Sequence, residues 1–265
     1  MKLTAAQHKK ASKALYDAHL AGGQIDSVST KHPTADVEDA YAIARGVVDL
    51  KVKSGRAIKG HKIGLTSKAM QAITLAEEPD YGTLTDDYFR YEGATVQRSE
   101  MNNPLVEVEI AFVMKHALKG PGVNAADVIS ATDYILPCLE IVDSRQKRGG
   151  PGPLIDTIAD AASCGFVVLG GNPRKLHQVD VRRIGAVLLI NGSQEQSGVG
   201  AAVMGNPISS VAWLINKLAQ FGVGVEPGQT ILSGSFLKAI PFGSGDTLTA
   251  IFDTLGEVTL AVAKD

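Results

Sequence analysis

Residues 105–115, LVEVEIAFVMK, decide how the rest of the chain is read. The segment is rich in Val, Ile and Phe and too short for an ordinary helix, so it predicts a buried β-strand. Side chains alternate along a strand. Glu107 and Glu109 therefore share one face, while Val106, Val108, Ile110 and Phe112 share the other. Two carboxylates side by side on an apolar strand repel each other and lose hydration. A hard divalent cation is the simplest compensation. An edge strand whose glutamates face water is the competing reading, and on this segment alone the two stand level.

The surrounding composition narrows the class. The chain has 265 residues, 45% of them hydrophobic, which is ample for a sizeable core in one large domain with a small extension. A formal net charge of −2 and scattered Lys and Arg give no basic patch for nucleic acid or an anionic membrane. No run approaches the roughly 20 apolar residues of a membrane span. The amphipathic start, MKLTAAQHKKASKAL, lacks the apolar centre of a signal peptide. Cys138 and Cys164 fall in no CxxC or Cys/His array, so a thiolate zinc site is not expected and a reduced, cytoplasmic protein is.

Two helices are expected first, over residues 4–21 and 37–53, ending at Gly22-Gly23 and before Gly55. Ala5, Ala11, Leu15, Ala18 and Leu20 would line the buried side of the first. Ala40, Ile43, Ala44, Val47, Val48 and Leu50 would line that of the second. Residues 1–55 then form a helical N-terminal segment packed on a catalytic domain of residues 56–265. From Gly60 the texture changes to short apolar runs between Gly, Pro, Asn and Asp. Strands are expected over 60–64, 106–114, 134–142, 165–169, 186–190, 229–233, 247–251 and 258–262, with helices over 125–132 and 207–221. Many short strands with few helices predict an α+β fold, a mixed β-roll or barrel, rather than a doubly wound sheet.

The chemistry-bearing residues cluster near those strands. Glu140 lies in YILPCLEIVDSR, a second apolar strand, followed by Asp143 and Arg145. A lone strand glutamate is usually paired with Arg or Lys. Three of them, Glu107, Glu109 and Glu140, are better explained by one Mg²⁺ or Mn²⁺, which takes about six oxygen ligands and leaves room for substrate and water. Lys62, in GHKIGLTSKAMQ, is an anion binder or proton donor if it is out of water, and an ordinary surface lysine if it is not. His61 beside it reads as a packing or surface residue. Asp80, in EPDYGTL, would more commonly be an Asx turn. Asp160, Ser163, Ser233 and Ser235 sit at strand or turn ends, each a weak signal. The stretch 145–153, RQKRGGPGP, is a candidate lid, although a solvated loop is the commoner role. No GxGxxG, Walker loop or GxSxG elbow supports a nucleotide or α/β-hydrolase reading.

Taken together, GHKIGLTSKAMQ, EPDYGTL, VEVEIAF, ATDYILPCLEIVDSR, DTIADAASCG, NPISSVAWL and GDTLTAIFDTLGEV resemble the fumarylacetoacetate hydrolase-like superfamily, in its hydratase/decarboxylase branch. The resemblance covers nearly the whole chain. It implies a mixed β-roll with a helical N-terminal segment. Glu107, Glu109 and Glu140 fall on the family's metal carboxylates, and Lys62 on its active-site lysine. Asp80 falls where the hydratases carry Asp and the decarboxylases an apolar residue, which favours water addition. The chain departs at Ala161, where the family usually has Asn between Asp160 and Ala162. The implied activity is metal-dependent hydration of a 2-hydroxy-2,4-dienoate or 2-oxo-4-enoate in aromatic meta-cleavage catabolism. Ser163, Ser235 and Arg145 are expected to bind substrate, and Arg145, Lys147 and Arg148 to meet any second carboxylate. A homo-oligomer is implied, and association with a sister pathway enzyme is compatible with the resemblance. The rivals are decarboxylation of a 2-oxo-3-enedioate, C–C hydrolysis using His61, and a non-catalytic partner subunit.

Overall fold

The structure, a computed structural model, describes residues 1–74, 76–147 and 153–264. In chain order the elements are α1 (Ala5–Ala21), α2 (Val28–Lys31), α3 (Val37–Lys53), β1 (Ile58–Gly64), α4 (Lys68–Thr74), β2 (Asp80–Thr85), β3 (Phe89–Tyr91), β4 (Thr95–Val96) and β5 (Leu105–Met114). Then come α5 (Ala125–Ala131), β6 (Thr132–Val142), α6 (Leu154–Ala159), β7 (Cys164–Leu169), β8 (Gly185–Ile190), β9 (Ser193–Val199) and α7 (Pro207–Ala219). The chain closes with β10 (Thr230–Ser235), β11 (Ile240–Pro241), β12 (Thr247–Phe252) and β13 (Gly256–Val262).

Local chemistry starts and stops the helices. Thr4 and Gln7 form a reciprocal cap at α1, and Gly22 ends it in the left-handed region. Asp36 and Asp39 cap α3 in the same way, and Pro207 opens α7. The buried stripe of α3 is centred on Ala40 and Ile43 as expected, but Leu20 of α1 is 65% exposed. Polar groups are buried in its stead. Asp39 accepts from the Lys2, Leu3 and Asp36 amides and sits 2.8 Å from His8 Nε2. Lys51 Nζ lies 2.9 Å from both His19 Nε2 and Asp87 Oδ2 and over the Tyr88 ring. Burial lowers the Lys51 value to about 8 against the pull of Asp87.

The strands form two sheets. One runs β2-β1-β10-β5-β6-β7-β3, with β11 added to β5; the other runs β4-β13-β12-β8-β9. Both mix parallel and antiparallel pairs: β1 is parallel to β10, while β5 is antiparallel to β10 and β6. The fold is the expected α+β mixed roll. Two strands of the first sheet, β2 and β7, stand five places apart, roughly 24 Å in a flat sheet at strand spacing. Yet Leu84 of β2 and Val167 of β7 share one small core with Ala111, Leu136, Cys138 and Leu232. The sheet therefore curls strongly. Its other face, carrying Val106, Val108, Ile110 and Phe112, joins the main core. No helix among the described residues is long and apolar enough to cross a membrane.

Candidate metal and active site

In the ladder between β5 and β6, Glu107 pairs with Glu140 and Glu109 with Cys138. The alternation that sends Val106 and Val108 into the main core sends all three glutamates to the inside of the curl, at one end of the small apolar core. One carboxylate oxygen from each lies within 4.8 Å of the others. The edge-strand reading fails, because β5 is held between β10 and β6 and both Glu109 and Glu140 are 0% exposed. The Gly234 amide donates to Glu109 Oε2 at 2.8 Å. Glu109 Oε1 and Glu140 Oε2 have no hydrogen-bond partner among the described residues. Burial, then the neighbouring Glu140, pushes Glu107 up to about 7. Burial and the same neighbours raise Glu109 well above the usual carboxylate range. Converging buried oxygens lacking donors are the ligand set a hard cation requires, so the residues present fit such an ion.

Lys62 reaches this cluster from β1, three strands away from β6 and roughly 14 Å distant were the sheet flat. Because of the curl, its Nζ lies 2.9 Å from Glu140 Oε1 and donates to the Ala162 carbonyl at 3.0 Å. Burial alone would lower its value, but the carboxylates of Glu140, Glu107 and Asp80 outweigh that and hold it above the ordinary lysine range. Asp80, at the start of β2, is 1% exposed and pairs with Gly64. A Cβ at Gly64 would come 2.2 Å from Asp80 Oδ1 and 3.5 Å from Lys62 Nζ, so only glycine leaves space for the two to converge. Asp80 is thus a strand residue of the site rather than an Asx turn. His61 points the other way. It is buried, edge-on to Tyr81 and 3.2 Å from Thr83 Oγ1, and burial lowers it to about 4.

Lys62, Asp80, Glu107, Ser163 and Ser235 line one cavity of about 540 Å³. Ser163 Oγ is buried there with no partner among the described residues. Ser235 Oγ is 3.3 Å from both the amide and the carbonyl of Val108. Ser233 is buried behind the wall, its carbonyl taken by Ser210. Asp143 also borders the cavity, with its oxygens accepting from the Asn102 and Asn103 amides.

One expected substrate contact is corrected. Arg145 does not line the cavity. Its Nε donates to Asp160 Oδ1, and its two terminal nitrogens donate to the carbonyls of Cys164 and Asp160. A guanidinium so engaged in a buried ion pair has little left for a ligand. Lys147 makes an exposed contact with Asp26. Arg148 and most of the expected lid lie outside the described residues. Lys238, on the wall of the cavity, gave no sequence signal: an exposed lysine after a turn looks like any other.

Such a fold and site define a class: β-roll proteins that gather carboxylates, a lysine and an aspartate around one cavity. No family model matches the chain. It is 42% identical to the 2-oxo-hept-4-ene-1,7-dioate hydratase of Escherichia coli, over 95% of this chain and 96% of that one. It is 38% identical to a 4-oxalocrotonate decarboxylase of Pseudomonas putida, over 92% of each. A solved 4-oxalocrotonate decarboxylase from Pseudomonas putida G7, complexed with magnesium and adipate, superposes with a TM-score of 0.95 at 36% identity, over 98% and 99% of the chains. The chain belongs to the hydratase/decarboxylase branch of the fumarylacetoacetate hydrolase-like superfamily and is a lyase.

Proposed function

We propose that the protein is a divalent-metal-dependent hydratase of the meta-cleavage type, adding water to a 2-oxo-4-enoate to give a 4-hydroxy-2-oxo acid. The observation that carries this reading is the presence of Asp80 and Lys62 in the same cavity as Glu107, above the buried Glu109 and Glu140. Those three glutamates would hold Mg²⁺ or Mn²⁺; the magnesium in the similar decarboxylase supports a divalent ion here. When bound, such an ion supplies Lewis acidity at the substrate's 2-oxygen and carboxylate.

The chain's own groups do the rest. Lys62 pairs its charge with Glu140 and donates one hydrogen bond to the Ala162 carbonyl, leaving N–H capacity to hold the substrate carboxylate. Once the 2-hydroxy-2,4-dienoate has lost its enol proton and gained one at C5 to give the 2-oxo-3-enoate, Asp80 takes a proton from the water adding at C4 and returns one at C3. Ser163 donates a hydrogen bond to the bound 2-oxo acid. The small apolar core beneath keeps bulk water away from these charges.

A second reading is kept because a decarboxylase shares this frame so closely. In it a 2-oxo-3-enedioate loses CO₂ in the same cavity. The Asp at position 80 favours hydration over that alternative. Hydrolysis through His61 loses its support, since that ring faces away from the cavity. A non-catalytic subunit would have no use for this buried charge. The test is turnover of mono- and di-acid 2-hydroxydienoates with Mg²⁺ and with EDTA, following loss of the dienoate and release of CO₂. Metal-dependent consumption without CO₂ is expected; stoichiometric CO₂ overturns the hydratase reading.

A further inference from the structure

The residues between α6 and β7 adopt an unusual backbone. Ala161, Ala162 and Ser163 are consecutive, none is glycine, and all have positive φ, at 50°, 52° and 60°. Side chains at Cβ make that region unfavourable, so such a run persists only where its surroundings hold it. Arg145 clamps both flanks of the turn at once. One terminal nitrogen donates to the Asp160 carbonyl at 2.9 Å, just before the run, and the other to the Cys164 carbonyl at 2.5 Å, just after it. Its Nε ties down Asp160 Oδ1 at 2.6 Å, while Asp160 Oδ2 accepts from the Arg145 amide and from Ser144 Oγ. The Ser163 amide closes back on the Asp160 carbonyl, and the Ser163 carbonyl accepts from the Asp143 amide.

Each turn residue also makes a contact that bears on the site. The Ala162 carbonyl receives the Lys62 ammonium. Ser163 Oγ, buried and without a partner among the described residues, lies in the cavity wall. The Ala161 carbonyl rests on Gly82, where a Cβ would come within 2.2 Å of it, and Gly82 is the ladder partner of Lys62. Any relaxation of the turn therefore moves the acceptor that aims Lys62 and the hydroxyl beside it.

We propose that Arg145 and Asp160 are positioning residues of the active site: their ion pair holds residues 161–163 left-handed, and that turn orients the Lys62 ammonium and the Ser163 hydroxyl toward the substrate carboxylate. This rests on the lyase reading of the cavity, and the test separates the two. Binding of the saturated analogue 2-oxopentanoate to Mn²⁺-loaded protein is measured alongside turnover of 2-hydroxydienoates, with Mn²⁺ affinity measured separately by electron paramagnetic resonance. Arg145→Met is expected to weaken 2-oxopentanoate binding about tenfold and kcat about a hundredfold, with Mn²⁺ affinity held within threefold. The loss is expected to be less than additive with Ser163→Ala, because the two changes share the Ser163 contact. Arg145→Lys, which reaches only one flank, falls between. Should Arg145→Met not fold, Asp160→Asn is to show the same pattern. Wild-type protein that binds 2-oxopentanoate without consuming any dienoate sinks the hydratase reading and leaves the positioning proposal to stand on the binding series. Unchanged binding in Arg145→Met and Asp160→Asn, additivity with Ser163→Ala, or a parallel fall in Mn²⁺ affinity overturns the positioning role.

Discussion

Glu107 and Glu140 face each other directly across the β5–β6 ladder, a like-charge cross-strand pair that a sheet normally avoids. In the metal-free protein burying Glu107, and then setting it beside Glu140, is a cost, since Glu107 charges only near pH 7. That cost is absent below the ordinary glutamate range and fully present above about pH 7. Glu107→Gln should therefore stabilise the metal-free protein by ~1–3 kcal/mol at pH 8 while abolishing the rise in Tm expected when Mg²⁺ is added to the wild type. Thermal melts with Mg²⁺ and with EDTA check both halves.

Glu140→Gln should behave differently, because Glu140 is also the partner of buried Lys62. Removing one member of a buried pair costs about 3–5 kcal/mol when the other charge is left alone; here Glu107 and Asp80 still face Lys62, so a loss below that range is expected. Urea unfolding of the metal-free variant should show that loss, and adding Lys62→Met should return part of it. Destabilisation that Lys62→Met leaves untouched would argue against the pair.

Asp80→Asn keeps the shape of the site and removes the proposed proton carrier. A fall in kcat of about 10²–10⁴-fold is expected, with metal affinity little changed. Steady-state kinetics with a parallel Mn²⁺ titration read the two separately, and equal hydration rates would remove Asp80 from the reaction.

Lys238 and Lys62 are the two cations among the described residues lining the cavity. Lys238 is exposed, so an ion pair with a distal carboxylate would be worth at most ~1 kcal/mol. Lys238→Met is accordingly expected to raise KM by no more than about fivefold for a di-acid and to leave a mono-acid unaffected.

His61 sets an acid limit on stability. Burial holds its folded value near 4, below the ordinary histidine value of 6.5. Between those two the unfolded chain binds a proton that the folded chain refuses, so stability is lost as pH falls from about 6.5 to 4, by roughly 3 kcal/mol. His61→Phe keeps the ring against Tyr81 and should flatten that part of the stability–pH curve.

The period-two pattern of residues 105–115 was enough to put Glu107 and Glu109 on the opposite face from Val106 and Val108, because burial of one face fixes the other. Glu140 joined them as a lone carboxylate in a second apolar strand, and the resemblance carried Lys62 and Asp80 to the same place. Strands β2 and β9 were not legible. DYGTLT and SQEQSGV are polar, and they are strands because neighbouring strands and, for β2, packed helices complete them. Arg145 was misplaced for a related reason. Nothing in DTIADAASC announces three left-handed residues, and without that turn the Asp160 partner of Arg145 cannot be foreseen. The buried Lys51 was hidden similarly, since Asp87, which receives it, lies thirty-six residues away.

The register between β5 and β6 guards against its own failure. A slip of one residue would thrust Glu107 and Glu109 into the hydrocarbon interior and turn four large apolar side chains toward the catalytic chamber. A chain that misaligns here forfeits its fold, so correctly folded molecules carry the three converging carboxylates by construction.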